Sequence, residues 1–174
     1  MTSHARRIRL ASLTFIAVAL TLSVARSAAA QDMGIKVGAV APDAVVESMQ
    51  GTPMDLAGFY GDKPVVLEFW ATWCPLCKQL EPAMHAAREK YDGMVTFVSV
   101  GVAANQTPER QMAHATKQKM GGAFVFDRDG KATAAFGVPH TSYVVVIDRN
   151  RKVVYTGVGG TQNIDAAIRK ASLE

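Results

Sequence analysis

The chain has 174 residues, of which 49% are hydrophobic, and its formal net charge at pH 7 is +4. This length suits one globular domain with a substantial core, and no internal repeat is visible. All of the net charge comes from the first 30 residues, which hold four arginines and no acid. The rest of the chain is neutral and gives no support for nucleic-acid binding.

Residues 1–30 have the pattern of a secretory signal peptide. Three arginines precede an apolar run at 10–24, and Ala28-Ala29-Ala30 supplies the small residues of a cleavage site. The run is shorter than the roughly 20 residues that usually span a bilayer. We therefore expect cleavage before Gln31, a domain at 31–174 and a periplasmic or other extracytoplasmic location. An uncleaved signal would instead anchor the chain in a membrane.

The remaining chain alternates between strand and helix patterns. The predicted elements are a hairpin of 44–47 with 54–56, a strand at 64–70, a helix from 74 to about 91, a strand at 94–101, a helix at 107–120, a strand at 123–126, a short helix at 131–136, strands at 143–148 and 152–156, and a helix at 162–173. The strand at 64–70 is apolar on both faces, as a central strand should be. The order predicts an α/β fold with a mixed sheet and helices on both faces.

Both cysteines of the chain lie in Trp73-Cys74-Pro75-Leu76-Cys77, between the predicted central strand and the following helix. At this spacing on a first helical turn the two sulfurs lie on the same side, close enough for a disulfide. The positive end of the helix favours a thiolate. We expect Cys74, partly exposed, to attack a substrate disulfide and Cys77, one turn inward, to resolve the mixed disulfide.

Other interpretations of the two cysteines stay open. A zinc site would need two further ligands, and no histidine has a ligand-like spacing, so we expect no metal and no cofactor. A peroxiredoxin-like thiol peroxidase would need a nearby threonine and arginine; Thr72 fits in sequence, but no arginine does. A non-catalytic binding module with a structural disulfide would have a redox potential below about −300 mV.

Three further segments extend the pattern over roughly residues 36–172. In chain order they are Gly38-Ala-Val-Ala-Pro42-Asp, Glu68-Phe-Trp-Ala-Thr-Trp-Cys-Pro-Leu-Cys77-Lys and Phe136-Gly-Val-Pro-His-Thr-Ser-Tyr-Val-Val-Val-Ile-Asp148. Together with the signal pattern they resemble the extracytoplasmic thioredoxin-like proteins of the TlpA/ResA type. The resemblance implies a thioredoxin-like fold with an N-terminal hairpin extension and a βα insertion. It also implies thiol-disulfide exchange with proteins. The family commonly supplies reductant to extracytoplasmic proteins, and apocytochromes c are among these recipients.

Glu68 is the expected proton carrier. It shares a strand face with Val66 and Trp70, and if helices cover both faces its carboxyl leaves water and its pKa should rise. A carboxylate that reaches solvent at the strand edge is the alternative. The resemblance implies that Glu68 acts as general acid and base toward Cys77 through water. Leu80 occupies the place of a second acid in the family, and we do not expect Glu81, about 100° away on the helix, to replace it.

The loop before the strand at 143–148 departs from the family pattern. Ser142 stands where thioredoxins have a cis-proline facing the dithiol, and Pro139 comes three residues too early. Either Val138-Pro139 takes the cis bond or Ser142 has an ordinary trans peptide. The spacing favours the second, since a non-proline cis bond costs about 3 kcal/mol. The backbone of Thr141 would still be available to pair with a substrate strand.

The residues beside Cys74 suggest how substrates and electrons reach it. We expect Trp73 and Pro75 to form an apolar surface on which a substrate rests, although core packing of Trp73 is the alternative. The Pro75-Leu76 dipeptide offers the thiolate no donor and no positive charge, which favours a reductant. We expect a monomer that exchanges with protein thiols and disulfides and receives electrons from a membrane thiol reductant or another redox partner.

Overall fold

A computed structural model describes residues 34–172, and the expected signal peptide lies outside this range. The elements in chain order are strands β1 (Val45–Ser48) and β2 (Pro53–Asp55), a 3-10 turn (Leu56–Phe59), strand β3 (Val65–Trp70), helix α1 (Pro75–Lys90), strand β4 (Thr96–Val102), helix α2 (Pro108–Lys117), strand β5 (Ala123–Asp127), helix α3 (Lys131–Ala135), strands β6 (Tyr143–Ile147) and β7 (Val153–Val158), and helix α4 (Ile164–Ser172). Within 34–172 no helix is both long and apolar enough to cross a membrane.

The predicted elements all form, and their ends lie within three residues of the predicted ends. The largest difference is at α2, which was expected to reach residue 120. Thr107 caps its N-terminus by accepting a hydrogen bond from the Arg110 N–H, and Gln118 ends it. Lys119 then has a φ of 53°, a left-handed conformation that stops the helix.

Seven strands form one mixed sheet in the order β2-β1-β5-β4-β3-β6-β7. Strands β3, β4 and β5 are parallel to their neighbours in that group, whereas β6 is antiparallel to β3. All six residues of β3 are buried, because β3 has strands on both sides and helices over both faces. The α/β class and the mixed sheet are confirmed.

The core lies on both faces of the sheet. On one face Val66 and Val144 pack with Leu80 of α1 and Ile168 of α4. On the other face the side chains of β3, β4 and β6 pack with the β1–β2 hairpin and α3. A smaller cluster, consisting of Trp70, Ala71, Cys74 and Cys77, lies at the carboxyl end of β3. The central strand therefore delivers the chain directly to the dithiol.

Candidate functional site

The two cysteines form a disulfide at the N-terminus of α1. Cys74 is the N-cap residue, and its Cα lies 5.3 Å from that of Cys77. The Cys77 backbone N–H donates a hydrogen bond to Cys74 Sγ over 3.0 Å. Pro75 occupies the first turn, where a missing N–H costs nothing. The donated N–H and the positive end of the helix both stabilise negative charge on Cys74 rather than on Cys77.

Cys74 is more deeply buried than the sequence predicted. Only 2% of its surface is exposed, against 6% for Cys77, so the expectations of a partly exposed Cys74 and of a Cys77 that lies further inward were both wrong. The cause is the cluster with Trp70 and Ala71, which covers the first cysteine from the strand side. The exposed parts of the motif are its apolar neighbours, since Trp73 is 46% exposed and Leu76 is 44% exposed.

The loop between β3 and α1 is held by the loop that follows β4. Gln106 accepts a hydrogen bond from the Thr72 N–H over 3.0 Å and donates to the Val102 carbonyl over 2.6 Å. Trp73 Nε1 donates to the Ala104 carbonyl over 2.8 Å. The sequence did not predict these contacts. Their signal is the adjacency of two parallel strands, whose following loops meet at the same edge of the sheet.

Glu68 is buried in the middle of β3, with 3% of its surface exposed, which excludes the solvent-reaching alternative. Arg88 of α1 places Nη2 3.3 Å from Glu68 Oε2 and 3.2 Å from the Ser99 hydroxyl. Loss of hydration raises the pKa of Glu68, the charge and hydrogen bond of Arg88 oppose this rise, and Glu81 adds to it. The raised pKa agrees with the expectation from the sequence, and the ion pair with Arg88 was missed.

A small cavity connects Glu68 with the dithiol. Glu68 and Cys77 both line it, and its volume is about 10 Å³. This is close to the least space in which one water molecule fits. Trp70 also lines the cavity, and its buried Nε1 has no hydrogen-bond partner within 34–172. The cavity thus has room for about one water molecule among Glu68, Trp70 and Cys77.

Glu81 lines the same cavity, although we did not expect it to replace the second acid that the family has at the position of Leu80. That expectation was based on the angle of about 100° around the helix axis between Glu81 and Leu80. Leu80 is fully buried in the core. The relevant reference is Cys77, four residues earlier, since residues four apart share a helix face. Arg88 lies a further seven residues along and continues that face. This spacing was the signal that could have identified both residues.

The loop before β6 contains Ser142 in place of a cis-proline. No peptide bond among residues 34–172 is cis, and Ser142 has a φ of 65°. Its N–H donates to the Phe69 carbonyl over 2.8 Å, and its hydroxyl donates to the Gly159 carbonyl over 3.0 Å. Its own carbonyl accepts from the Gln162 side chain over 3.1 Å. These bonds fix a conformation that L side chains rarely adopt, and the bond to Phe69 places the loop at the end of β3 that leads to the cysteines.

The predicted substrate-contact residues divide between two segments. Trp73 and Pro75 are exposed beside Cys74, so core packing of Trp73 is excluded. Thr141 is half-buried and precedes Ser142, which is fully buried. Among the described residues, no group of three or more His, Cys, Asp or Glu side chains could hold a metal ion.

The chain is similar to a known protein family, to characterised proteins and to solved structures. The family model described as Redoxin matches residues 36–171. The thiol-disulfide oxidoreductase ResA of Geobacillus thermodenitrificans is 30% identical over 135 residues, which cover 75% of each chain. The thioredoxin-like protein YneN of Bacillus subtilis is 34% identical over 82 residues, 47% of this chain and 48% of that one. A solved structure from Chlorobium tepidum, assigned as the thiol:disulfide interchange protein DsbE, has a TM-score of 0.67 and 28% identity, and the match covers 80% of this chain and 96% of that chain.

Proposed function

The chain belongs to the redoxin family and is a TlpA/ResA-like thiol-disulfide oxidoreductase, and we propose that it reduces protein disulfides outside the cytoplasm, those of apocytochromes c among them. One observation carries the proposed mechanism. The disulfide lies at a helix N-terminus, and its second cysteine, Cys77, lines the same cavity as the buried residue Glu68. The signal pattern at residues 1–30 supports the extracytoplasmic location.

The proposed reaction moves two electrons from the dithiol to the substrate. The Cys74 thiolate attacks one sulfur of a substrate disulfide, that bond breaks, and the other substrate sulfur leaves as a thiolate. Cys77 then gives its proton to the Glu68 carboxylate through the cavity and attacks Cys74 Sγ. The substrate leaves with both sulfurs reduced, and the Cys74–Cys77 disulfide forms. A membrane thiol reductant or another redox partner restores the dithiol by the reverse steps.

The surroundings of Cys74 favour reduction over oxidation of substrates. A strongly oxidising dithiol has a reduced form that is stabilised by several interactions with its thiolate. Within residues 34–172, Cys74 Sγ accepts one hydrogen bond, from the Cys77 N–H. Pro75 has no N–H, and Leu76 carries no charge. We therefore propose a potential nearer to that of thioredoxin, about −270 mV, than to that of DsbA, about −120 mV.

Equilibration with glutathione buffers of graded ratio, followed by mass measurement of the oxidised fraction, tests this direction. We expect the potential stated above and stoichiometric reduction of a peptide disulfide formed within a Cys-x-x-Cys-His segment, the haem-attachment sequence of c-type cytochromes. The Cys74→Ser variant is the control and should leave the peptide oxidised. A potential near −120 mV would contradict the reductant role, and a disulfide that resists glutathione altogether would indicate a structural staple.

A further inference from the structure

The ion pair between Glu68 and Arg88 is buried beneath the exchange site. The two side chains are 4% and 9% exposed, and their charged atoms lie 3.3 Å apart. Arg88 also bonds to the Ser99 hydroxyl, and its guanidinium lies 5.8 Å from the centre of the Phe97 ring. Removing two charges from water costs several kcal/mol per ion, so apolar side chains would often stabilise a core equally well. Stability alone therefore does not account for a charged pair at this place.

Arg88 reaches this carboxyl from the surface. On one side it lines the cavity that contains Glu68 and Cys77. On the other side it lines an open groove between α1 and the segment after α2, together with Asp92 and Lys119. Arg88 thus lines both the cavity and the groove, on the helix face that also carries Cys77.

We propose that Arg88 is a positioning residue of the exchange site, which holds Glu68 ionised and fixed beside the cavity so that the carboxylate can accept the proton of Cys77. The inference rests on the proposed function, since it requires Cys77 to resolve the mixed disulfide and Glu68 to take its proton. Arg88 itself touches neither sulfur in the proposed reaction. It acts by determining the charge and the orientation of the proton acceptor.

The charged groups around Glu68 determine in which direction the loss of Arg88 shifts the pKa of Glu68. The groups that share the cavity with it are Cys77, Lys78, Glu81 and Arg88 from α1 and His114 from α2. On the two neighbouring strands, the residues paired with Glu68 are Ser99, which carries a hydroxyl, and the apolar Val144. Burial and Glu81 raise the pKa of Glu68, and Arg88 lowers it. Loss of Arg88 should therefore raise this pKa further, so that the carboxylate becomes available only at higher pH.

The resolving step can be observed directly in a single turnover. The reduced protein is mixed with an aromatic disulfide whose thiolate is coloured, and the release of the second thiolate by Cys77 is followed from pH 5 to pH 9. We expect Arg88→Met to move the pH midpoint of this release upward by one unit or more, which corresponds to about tenfold slower release below the midpoint. Arg88→Lys, which keeps the positive charge, should restore most of the rate. Arg169→Met, which changes an exposed arginine on α4, should match the wild type.

A second pair of variants tests whether Arg88 acts through Glu68. In the Glu68→Gln background, the further change Arg88→Met should leave the pH profile unchanged. This double variant contains no buried unpaired charge, so it is informative even if Arg88→Met alone fails to fold. A wild-type profile in folded Arg88→Met, or a shift that persists in the Glu68→Gln background, would overturn the inference. Equal release by the wild type and Cys77→Ser would instead refute the proposed function.

Discussion

Trp73 shows how one residue can be both exposed and fixed. Its side chain is 46% exposed beside the disulfide, while its Nε1 donates to the Ala104 carbonyl. A ring held in this way loses little entropy when an apolar substrate segment packs on it. The geometry therefore supports the proposal that Trp73 contacts protein substrates.

Trp73→Ala should weaken the binding of protein substrates and leave the reaction with small disulfides nearly unchanged. We expect KM for a protein disulfide to rise about tenfold, since truncation of a contacting tryptophan commonly costs more than 1 kcal/mol. The rate with oxidised glutathione, which is too small to cover the ring, should change little. Steady-state kinetics with both substrates measure this difference, and Trp73→Phe is the matched control. Equal losses with both substrates would contradict a docking role.

The sequence predicted some of these residues better than others, for physical reasons. Glu68 could be predicted because it lies in a strand that is apolar on both faces, which favours a carboxyl taken out of water. The low exposure of Cys74 could not, because it depends on a cluster with Trp70 and Ala71 against which Met120 and Phe124 pack from distant segments. The hydrogen bond from the Thr72 N–H to Gln106 joins segments 34 residues apart, and no local pattern encodes it.

At the scale of elements, the helix that carries the dithiol owes its position to an apolar stripe. Its fully buried members include Leu80 and Met84, which pack under β3 and against α4. The sequence predicted this helix within one residue at each end, because Pro75 and Cys74 mark its start and the stripe has helical spacing. Glu81 and Arg88 lie on the flank next to this stripe, and both line the cavity.

Leu80→Ala should lower the free energy of unfolding by about 2–5 kcal/mol, because it empties a fully enclosed position in the core. Leu76 provides a matched control on the same helix, since it is 44% exposed. Leu76→Ala should change stability by no more than about 0.5 kcal/mol. Urea unfolding of the oxidised protein measures both values, and a similar loss in the two variants would contradict the assigned helix face.

The loop before β6 shows where an element cannot be predicted from its own residues. The sequence indicated that Ser142 replaces the proline, and its trans peptide agrees with the favoured alternative. It did not indicate how the loop is held. The side chain of Gln162, in the segment before α4, bonds to both the Ser142 and Gly159 carbonyls. The loop is therefore held by side-chain hydrogen bonds from Gln162, which lies 20 residues after Ser142 in the chain.

At the scale of the whole molecule, the sheet topology brings separate segments to one edge. The carboxyl end of β3 leads to the dithiol. The carboxyl end of the parallel strand β4 leads to the loop at residues 104–106, whose Ala104 carbonyl accepts a hydrogen bond from Trp73. The antiparallel strand β6 begins at the same edge, directly after Ser142. Only the strand order produces this convergence, which explains why local patterns predicted the elements but left most of the site contacts undetermined.

The central claim is that the two cysteines have distinct roles, with Cys74 attacking and Cys77 resolving. Burial does not separate them, since both are at least 94% covered; the N-cap position and the hydrogen bond to Cys74 Sγ do. Mass spectrometry after mixing each reduced single-serine variant with an oxidised Cys-x-x-Cys-His peptide tests this most directly. We predict a stable mixed disulfide at Cys74 in Cys77→Ser and no comparable adduct at Cys77 in Cys74→Ser. Equal adducts in the two variants, or an adduct at Cys77 alone, would contradict the account.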